Sequence, residues 1–167
     1  MPVGVERAQR RAGLGCETRA SDGAQPSMGS RDMDVVVVED SKPFQDVVAR
    51  LLSSVEGLEI VGMAEDVDGA CSLIDAKEPD VVVLDVELRD GGRGIDVLRH
   101  VVREHPRVKV IGLSNRDWEF LRPVFLRAGA AACFDKATEF VQARDWLAAC
   151  ARARPIRPGI GPHRGRR

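Results

Sequence analysis

Side chains that could take part in chemistry follow the apolar segments of this sequence. The segments end in Glu39 and Asp40, in Asp85, in Ser114, and in Asp135 with Lys136. Two carboxylates about 4 Å apart repel each other by about 4 kcal/mol at an effective dielectric constant near 20, so converging carboxylates must bind a proton or a cation. Oxygen ligands without Cys or His favour Mg²⁺, which commonly also ligates a phosphate. If these residues converge, they suit a phosphate group and a divalent metal.

Each of these residues has a simpler interpretation when it is taken alone. An acidic pair after a strand, or an aspartate before a loop, is most often a solvated turn or a helix cap. Their occurrence in order at successive strand ends is what favours a functional site.

Strands and helices are predicted to alternate along the chain. The predicted strands are 35–38, 58–63, 81–84, 108–113 and 131–134. Each is followed by apolar residues at helical spacing, with Ser41 and Thr138 as predicted N-caps of the first and last helices. This alternation predicts an α/β fold, a doubly wound five-stranded parallel sheet with helices on both faces. In such sheets a ligand binds beyond the carboxyl ends of the strands.

Length and charge favour one folded domain with two flanking segments. The chain has 167 residues, which is close to one ordinary domain. Residues 1–32 are predicted to be a disordered extension, 33–151 the folded domain, and 152–167 a disordered basic tail with six arginines. Residues 33–151 carry 14 basic and 22 acidic side chains, which argues against a core that binds nucleic acid.

Cysteine spacing and hydropathy bear on the cellular setting. The four cysteines show neither paired close spacing nor a histidine at zinc-finger distance, so no disulfide framework or structural zinc site is expected. No apolar run approaches the roughly 20 residues of a membrane span, and no signal peptide is visible. We expect a cytoplasmic protein that does not associate with membranes.

Four segments carry a resemblance to a known family. They are VVVVED at 35–40, VVVLDVELRDGGRGIDVL at 81–98, VIGLSN at 110–115 and AGAAACFDKA at 128–137. Over roughly 33–151 the chain resembles the receiver domains of two-component response regulators, in the single-domain form. The resemblance implies the flavodoxin-like receiver fold.

The resemblance also assigns roles to individual residues. It implies that Asp85 accepts a phosphoryl group and that Ser114 and Lys136 contact that group. It implies that Mg²⁺ is bound by Asp40 directly, by Glu39 through water, by Asp85, and by the backbone carbonyl of Glu87.

A function follows from those roles. The chain would be a stoichiometric phosphoacceptor in a phosphorelay rather than an enzyme, although it would assist its own Mg²⁺-dependent phosphoryl transfer. Its expected partners are a histidine kinase or a histidine phosphotransfer protein and a downstream protein target. We expect no DNA-binding domain, and homodimerisation on activation is left open.

The sequence departs from the family pattern near the lysine. Family members usually have an aromatic switch residue three positions before it, where this chain has Cys133, and often a proline after it, where this chain has Ala137. Phe134 would lie on the opposite face of the strand and is no substitute. The alternative function is therefore a receiver-like binding module that signals without phosphorylation.

Two enzyme classes fit this sequence less well. A haloacid-dehalogenase-like phosphatase needs a second aspartate two positions after the first, where this chain has Glu87. A dinucleotide enzyme needs a glycine-rich loop after the first strand, where this chain reads EDSKPF. His100 and His105 have no other metal-ligand type nearby in the sequence and are interpreted as surface residues.

Overall fold

The computed structural model describes residues 32–88, 93–115 and 118–153, with the side chain of Trp118 left out. Five strands and five helices alternate: β1 (Met33–Val38), α1 (Lys42–Ser53), β2 (Leu58–Ala64), α2 (Val67–Lys77), β3 (Val81–Asp85), α3 (Gly94–Glu104), β4 (Lys109–Ser114), α4 (Trp118–Arg127), β5 (Ala132–Asp135) and α5 (Phe140–Arg152). Each predicted strand and helix is present, and the element bounds differ from the predicted ones by a residue or two.

The strands form one parallel sheet in the order β2-β1-β3-β4-β5. This is the flavodoxin-like, doubly wound order, in which the chain reverses direction across the sheet between β1 and β3. The predicted fold class is confirmed. The carboxyl ends of β1 and β3 therefore flank the crevice where a ligand is expected.

The sheet is covered on both faces by apolar helix surfaces. Side chains of α2, α3 and α4 pack on one face, and side chains of α1 and α5 pack on the other. The central strands are continuous valine-rich runs because both of their faces are buried. Full burial of each such valine contributes roughly 1.5 to 3 kcal/mol to stability. The two apolar layers therefore hold the central strands, and with them the residues at their ends, in place.

Two local features differ from the sequence-based expectation. In α1, where apolar residues at helical spacing were expected to be buried, Val47 is half exposed and Gln45 is buried. The last helix begins at Phe140 with Glu139 as its N-cap. Thr138 lies in the preceding turn because its backbone N–H and its hydroxyl both donate to Asp135 Oδ1.

The described residues begin just before β1 and end just after α5. The last helix ends at Arg152, and most of the segments predicted to be disordered, 1–31 and 154–167, lie outside the described residues. Cys71, Cys133 and Cys150 are free thiols. Within the described ranges, no helix has the length and apolar character needed to cross a membrane.

Candidate functional site

Three carboxylates meet at the carboxyl ends of β1 and β3. Val38 pairs with Leu84 in the parallel register, so the residues that follow them, Glu39 and Asp85, are neighbours. Glu39, Asp40 and Asp85 each place a carboxylate oxygen within 4.8 Å of the others. Glu39 and Asp85 are buried, whereas Asp40 is partly exposed. The convergence expected from the strand ends is therefore present for these three residues.

The ammonium group of Lys136 lies between two of these carboxylates. Its Nζ donates to Glu39 Oε2 at 2.6 Å and to Asp85 Oδ2 at 2.7 Å, and its side chain is 4% exposed. Nζ also lies 4.5 Å from the ring centroid of Phe44, which is a cation–π distance. One buried cation thus offsets much of the repulsion between two buried carboxylates.

The electrostatics of the cluster act most strongly on Glu39. Burial raises the pKa of the Glu39 carboxyl because it disfavours the charged form, and repulsion from Asp85 adds to that effect. The hydrogen bond from Lys136 acts in the opposite direction. The net direction is upward, so this carboxylate is held at an energetic cost that a bound cation would relieve.

Asp85 is fixed in orientation by hydrogen bonds to both of its oxygens. Lys136 Nζ donates to Oδ2, and the backbone N–H of Glu87 donates to Oδ1 at 3.0 Å. The Glu87 side chain itself is exposed. The backbone N–H of Glu87 therefore lies beside the carboxylate, and the carbonyl of the same residue is the metal ligand that the resemblance implies.

Ser114 closes β4 one strand away from Asp85. It is fully buried, and its carbonyl accepts a hydrogen bond from the backbone N–H of Lys136 at 2.9 Å. Asp85 pairs with Leu113, the residue before Ser114, in the β3–β4 register. The ends of β3, β4 and β5 are thus joined in the same region.

A glycine at the start of α3 permits the close approach of that helix to β3. A Cβ added at Gly94 would overlap the Asp85 carbonyl oxygen and lie 3.0 Å from Val86 Cα. The Gly94 N–H donates to the carbonyl of Val86 at 3.1 Å. Any larger residue would push the helix away from the strand that carries Asp85.

Asp135, also at a strand end, does not join the cluster. Its Oδ1 accepts hydrogen bonds from Ala137 N at 2.8 Å and from both the N–H and the hydroxyl of Thr138. These bonds hold the pKa of Asp135 below its usual range. The residue stabilises the turn before α5, which is the simpler interpretation of a strand-end aspartate.

Cys133 occupies the position where the resemblance expects an aromatic residue. It is buried in the layer beneath α4, and burial raises the pKa of its thiol to about 11. Sγ lies 3.4 Å from the place that a Cβ on Gly112 would take. The thiol is therefore a neutral packing group.

Sequence reasoning missed two polar contacts. Gln45 is buried because its Nε2 donates to the Glu39 carbonyl at 2.5 Å, which ties α1 to the acidic site. His100 and His105, interpreted above as surface residues without a nearby ligand type, both contact Asp75 and are mostly buried. The expectation that no ligand type lies nearby is therefore wrong, because α2 brings a carboxylate that lies 25 residues before His100 and 30 residues before His105.

Comparison with known proteins agrees with this geometry. The family model described as the response regulator receiver domain matches residues 35–147. The chain belongs to the response regulator receiver family. Receiver domains act in two-component phosphorelay signalling and bind Mg²⁺ at an acidic pocket, and the cluster of Glu39, Asp40 and Asp85 has the oxygen-only composition such a pocket needs.

Individual relatives cover the same part of the chain. Response regulator GacA of Pseudomonas viridiflava is 35% identical over 114 residues, which cover 65% of this chain and 52% of that protein. Protein-glutamate methylesterase/protein-glutamine glutaminase 5 of Myxococcus xanthus is 37% identical over 112 residues, 66% of this chain and 32% of that protein. The receiver chain thus spans about half the length, or less, of these curated relatives.

Solved structures give the same fold. The signal receiver domain of the response regulator NarL from Mycobacterium tuberculosis has a TM-score of 0.66 and 30% identity, over 74% of this chain and 99% of that one. The response regulator domain of Thermotoga maritima CheB has a TM-score of 0.63 and 26% identity, over 73% and 95%. Both likenesses extend over almost the whole of the compared domain.

Proposed function

We propose that this receiver domain accepts a phosphoryl group on Asp85 in a Mg²⁺-dependent reaction and passes the signal on through protein contacts. The observation that supports this most strongly is the environment of Asp85. The carboxylate lies at the topological switch point, hydrogen-bonded through both oxygens, and beside two further carboxylates. A nucleophile in phosphoryl transfer needs such fixed positioning more than it needs activation.

The proposed reaction is a displacement at phosphorus. A carboxylate oxygen of Asp85 forms the new O–P bond as the P–N bond of a phosphohistidine donor breaks. Lys136, already bonded to Asp85 at 2.7 Å, is placed to neutralise charge on the transferred group. The product is an acyl phosphate, formed once per molecule. We therefore propose a stoichiometric phosphoacceptor rather than an enzyme.

The residues present fit a Mg²⁺ site. Glu39, Asp40, Asp85 and the carbonyl of Glu87 would hold the ion, and each offers the hard oxygen donor that it prefers. When bound, the ion supplies charge stabilisation for the phosphoryl oxygens. It would also offset the two effects that raise the pKa of Glu39, which are burial and, after it, repulsion from Asp85.

Output is proposed to run through Ser114 and α4. A hydrogen bond from the Ser114 hydroxyl to the phosphoryl group would move the β4–α4 loop and repack the surface beside β5. The described part of α4 presents Phe120, 78% exposed, with Val124 and Leu126 partly exposed. These apolar side chains suit a downstream protein target.

The remaining proposals concern partners and setting. The donor is proposed to be a histidine kinase or a histidine phosphotransfer protein in the cytoplasm. The signalling unit is proposed to be residues 33–151. The net negative charge of 33–151 favours output through proteins rather than through nucleic acid.

Incubation with acetyl phosphate and Mg²⁺, followed by intact mass spectrometry, tests the proposal. We expect a gain of about 80 Da for the phosphoryl group in the wild type, with no gain in Asp85→Asn. Asp145→Asn is the matched control, because its carboxylate is exposed on α5 and pairs with the adjacent Arg144. It should gain the same mass as the wild type.

The alternative is a binding module that signals without phosphorylation, which the buried cysteine at the switch position favours. No mass gain in the wild type, together with no binding of beryllofluoride and Mg²⁺, would establish that alternative and overturn the proposal.

A further inference from the structure

Two histidines and an aspartate converge between α2 and α3, away from the acidic site. Nε2 of His100 and Nε2 of His105 each lie 2.7 Å from the same oxygen, Asp75 Oδ1. The three ligand atoms lie within 4.8 Å of one another. The two imidazole rings are tilted by 53°, with centroids 5.9 Å apart, so they converge on one point rather than stack.

The surrounding helices hold this cluster in place. Ile74, next to Asp75, packs in the same buried layer as Val97 and Val101 of α3. The histidine side chains are only 19% and 16% exposed, whereas Asp75 is 52% exposed. The imidazoles are therefore held by packing, and the carboxylate side of the cluster is open to solvent.

We propose that Asp75, His100 and His105 form a binding site for Zn²⁺. Two imidazole nitrogens and one carboxylate oxygen are a ligand set that Zn²⁺ accepts, with a solvent molecule in the fourth position. Mg²⁺ and Ca²⁺ prefer oxygen alone, so the chain has an oxygen-only site for a hard cation and a nitrogen-containing site for zinc.

The geometry requires only small movements. Zn–N and Zn–O bonds of about 2.0 to 2.2 Å place tetrahedral ligand atoms about 3.3 Å apart, compared with the 2.7 Å separations found here. The Asp75 side chain is 52% exposed, so it has room to rotate and open these two separations.

The position of the site gives it a structural role. Asp75 lies in the last turn of α2, and His105 is the C-cap of α3. These helix ends lie beside the amino ends of the strands. Asp85 lies at the carboxyl end of β3, on the order of 15 Å away along that strand. Zinc would add a metal link between two helices that apolar packing and the contacts of Asp75 with both histidines already join, and it would stabilise the folded chain by mass action.

Calorimetric titration with zinc chloride tests the proposal on the full chain, prepared without a polyhistidine tag and in excess Mg²⁺ to saturate the acidic site. We expect the wild type to bind one zinc equivalent that is lost, or weakened by about tenfold or more, in His100→Ala and in His105→Ala. His163→Ala is the matched control, because it removes the third histidine of the chain and leaves the proposed ligands intact. Zinc binding in His100→Ala and His105→Ala that equals binding in His163→Ala would overturn the proposal.

Two further measurements separate ligand loss from misfolding and from thiol binding. His105→Gln tests the same ligand with less change in side-chain volume, and far-UV circular dichroism checks that the fold is retained. With Co²⁺ as the probe, we expect visible bands of tetrahedral cobalt that His105→Gln lacks and Cys71→Ser retains. A thiolate-to-cobalt charge-transfer band that disappears in Cys71→Ser would assign the metal to cysteine and contradict the proposed ligand set.

Discussion

Lys136 is the residue on which the acidic site depends most. Its ammonium group is almost fully buried and hydrogen-bonds two buried carboxylates, those of Glu39 and Asp85. Loss of one partner of such a buried group leaves the others as uncompensated charges, which costs about 3 to 5 kcal/mol. Lys136 therefore contributes to stability as well as to the proposed chemistry.

We predict that Lys136→Met lowers the free energy of unfolding by about 3 kcal/mol and that Mg²⁺ restores more stability to this variant than to the wild type. Urea unfolding with and without Mg²⁺ measures both effects. Lys77→Met, at the exposed end of α2, is the control and should change stability little. Equal stability of the two variants would contradict the account of Lys136.

Cys133 gives the stability a dependence on pH. Burial raises the pKa of this thiol from an ordinary value of 9.0 to about 11 in the folded chain. As pH rises, the unfolded thiol therefore loses its proton first, and the folded state becomes less stable by linkage. The contribution is fully present below pH 9 and is lost as pH rises towards about 11.

We predict that Cys133→Ala removes this part of the pH dependence. The stability difference between wild type and variant, measured by urea unfolding, should shrink between about pH 9 and pH 11. A Cys150→Ala variant serves as the control, since Cys150 is only partly buried. A difference that stays constant over this range would show that the Cys133 pKa is not raised by folding.

At this scale the sequence predicted the residues at strand ends and missed those brought in by helices. Glu39, Asp40, Asp85 and Lys136 were predicted to converge because parallel strands end at one edge, which is a property of the fold. The contacts of Gln45 with Glu39 and of Asp75 with His100 depend on how a helix rotates on the sheet. Helical periodicity fixes which residues share a face, but it does not fix that rotation.

The approach of α3 to β3 is the feature of the elements that bears most on the site. Gly94 faces the backbone of Asp85 and Val86, with no room for a Cβ. We predict that Gly94→Ala lowers the free energy of unfolding by about 2 kcal/mol through overpacking. It should also slow phosphorylation of Asp85, because the start of α3 must shift away from the strand that carries Asp85. Urea unfolding and time-resolved intact mass measure the two effects.

Gly69→Ala in α2 is the matched control for this prediction. The Cβ there would meet an exposed carboxylate oxygen of Asp66 at 3.2 Å rather than backbone. Alanine is also a better helix former than glycine, so we expect a change below about 1 kcal/mol. Gly94→Ala that is as stable and as active as Gly69→Ala would rule out the proposed steric role.

The sequence predicts which segments are strands and which are helices, because the apolar patterns are strong. It does not predict where every helix begins. The valine runs of β1 and β3 predict buried strands without ambiguity. The start of α5 was predicted with Thr138 as the cap, but Asp135 accepts the hydrogen bonds of that turn and the helix begins two residues later. Several polar residues compete for one turn there, and the sequence does not rank them.

At the scale of the whole molecule, the sheet and both of its apolar layers lie within the predicted domain. We predict that a fragment of residues 33–153 has the thermal midpoint of the full chain and gains the same phosphoryl mass from acetyl phosphate. Thermal circular dichroism and intact mass spectrometry provide the comparison. A fragment that does not fold would contradict the predicted domain boundaries and give the flanking segments a structural role.

Asp85 is the residue proposed to carry the phosphoryl group. The most direct measurement is borohydride reduction of protein treated with acetyl phosphate and Mg²⁺, which converts an aspartyl phosphate to homoserine, followed by peptide sequencing in a mass spectrometer. We predict homoserine at position 85 and at no other aspartate. Homoserine at Asp40, or its absence from every peptide despite a phosphoryl mass gain, would contradict the assignment of Asp85 as the acceptor.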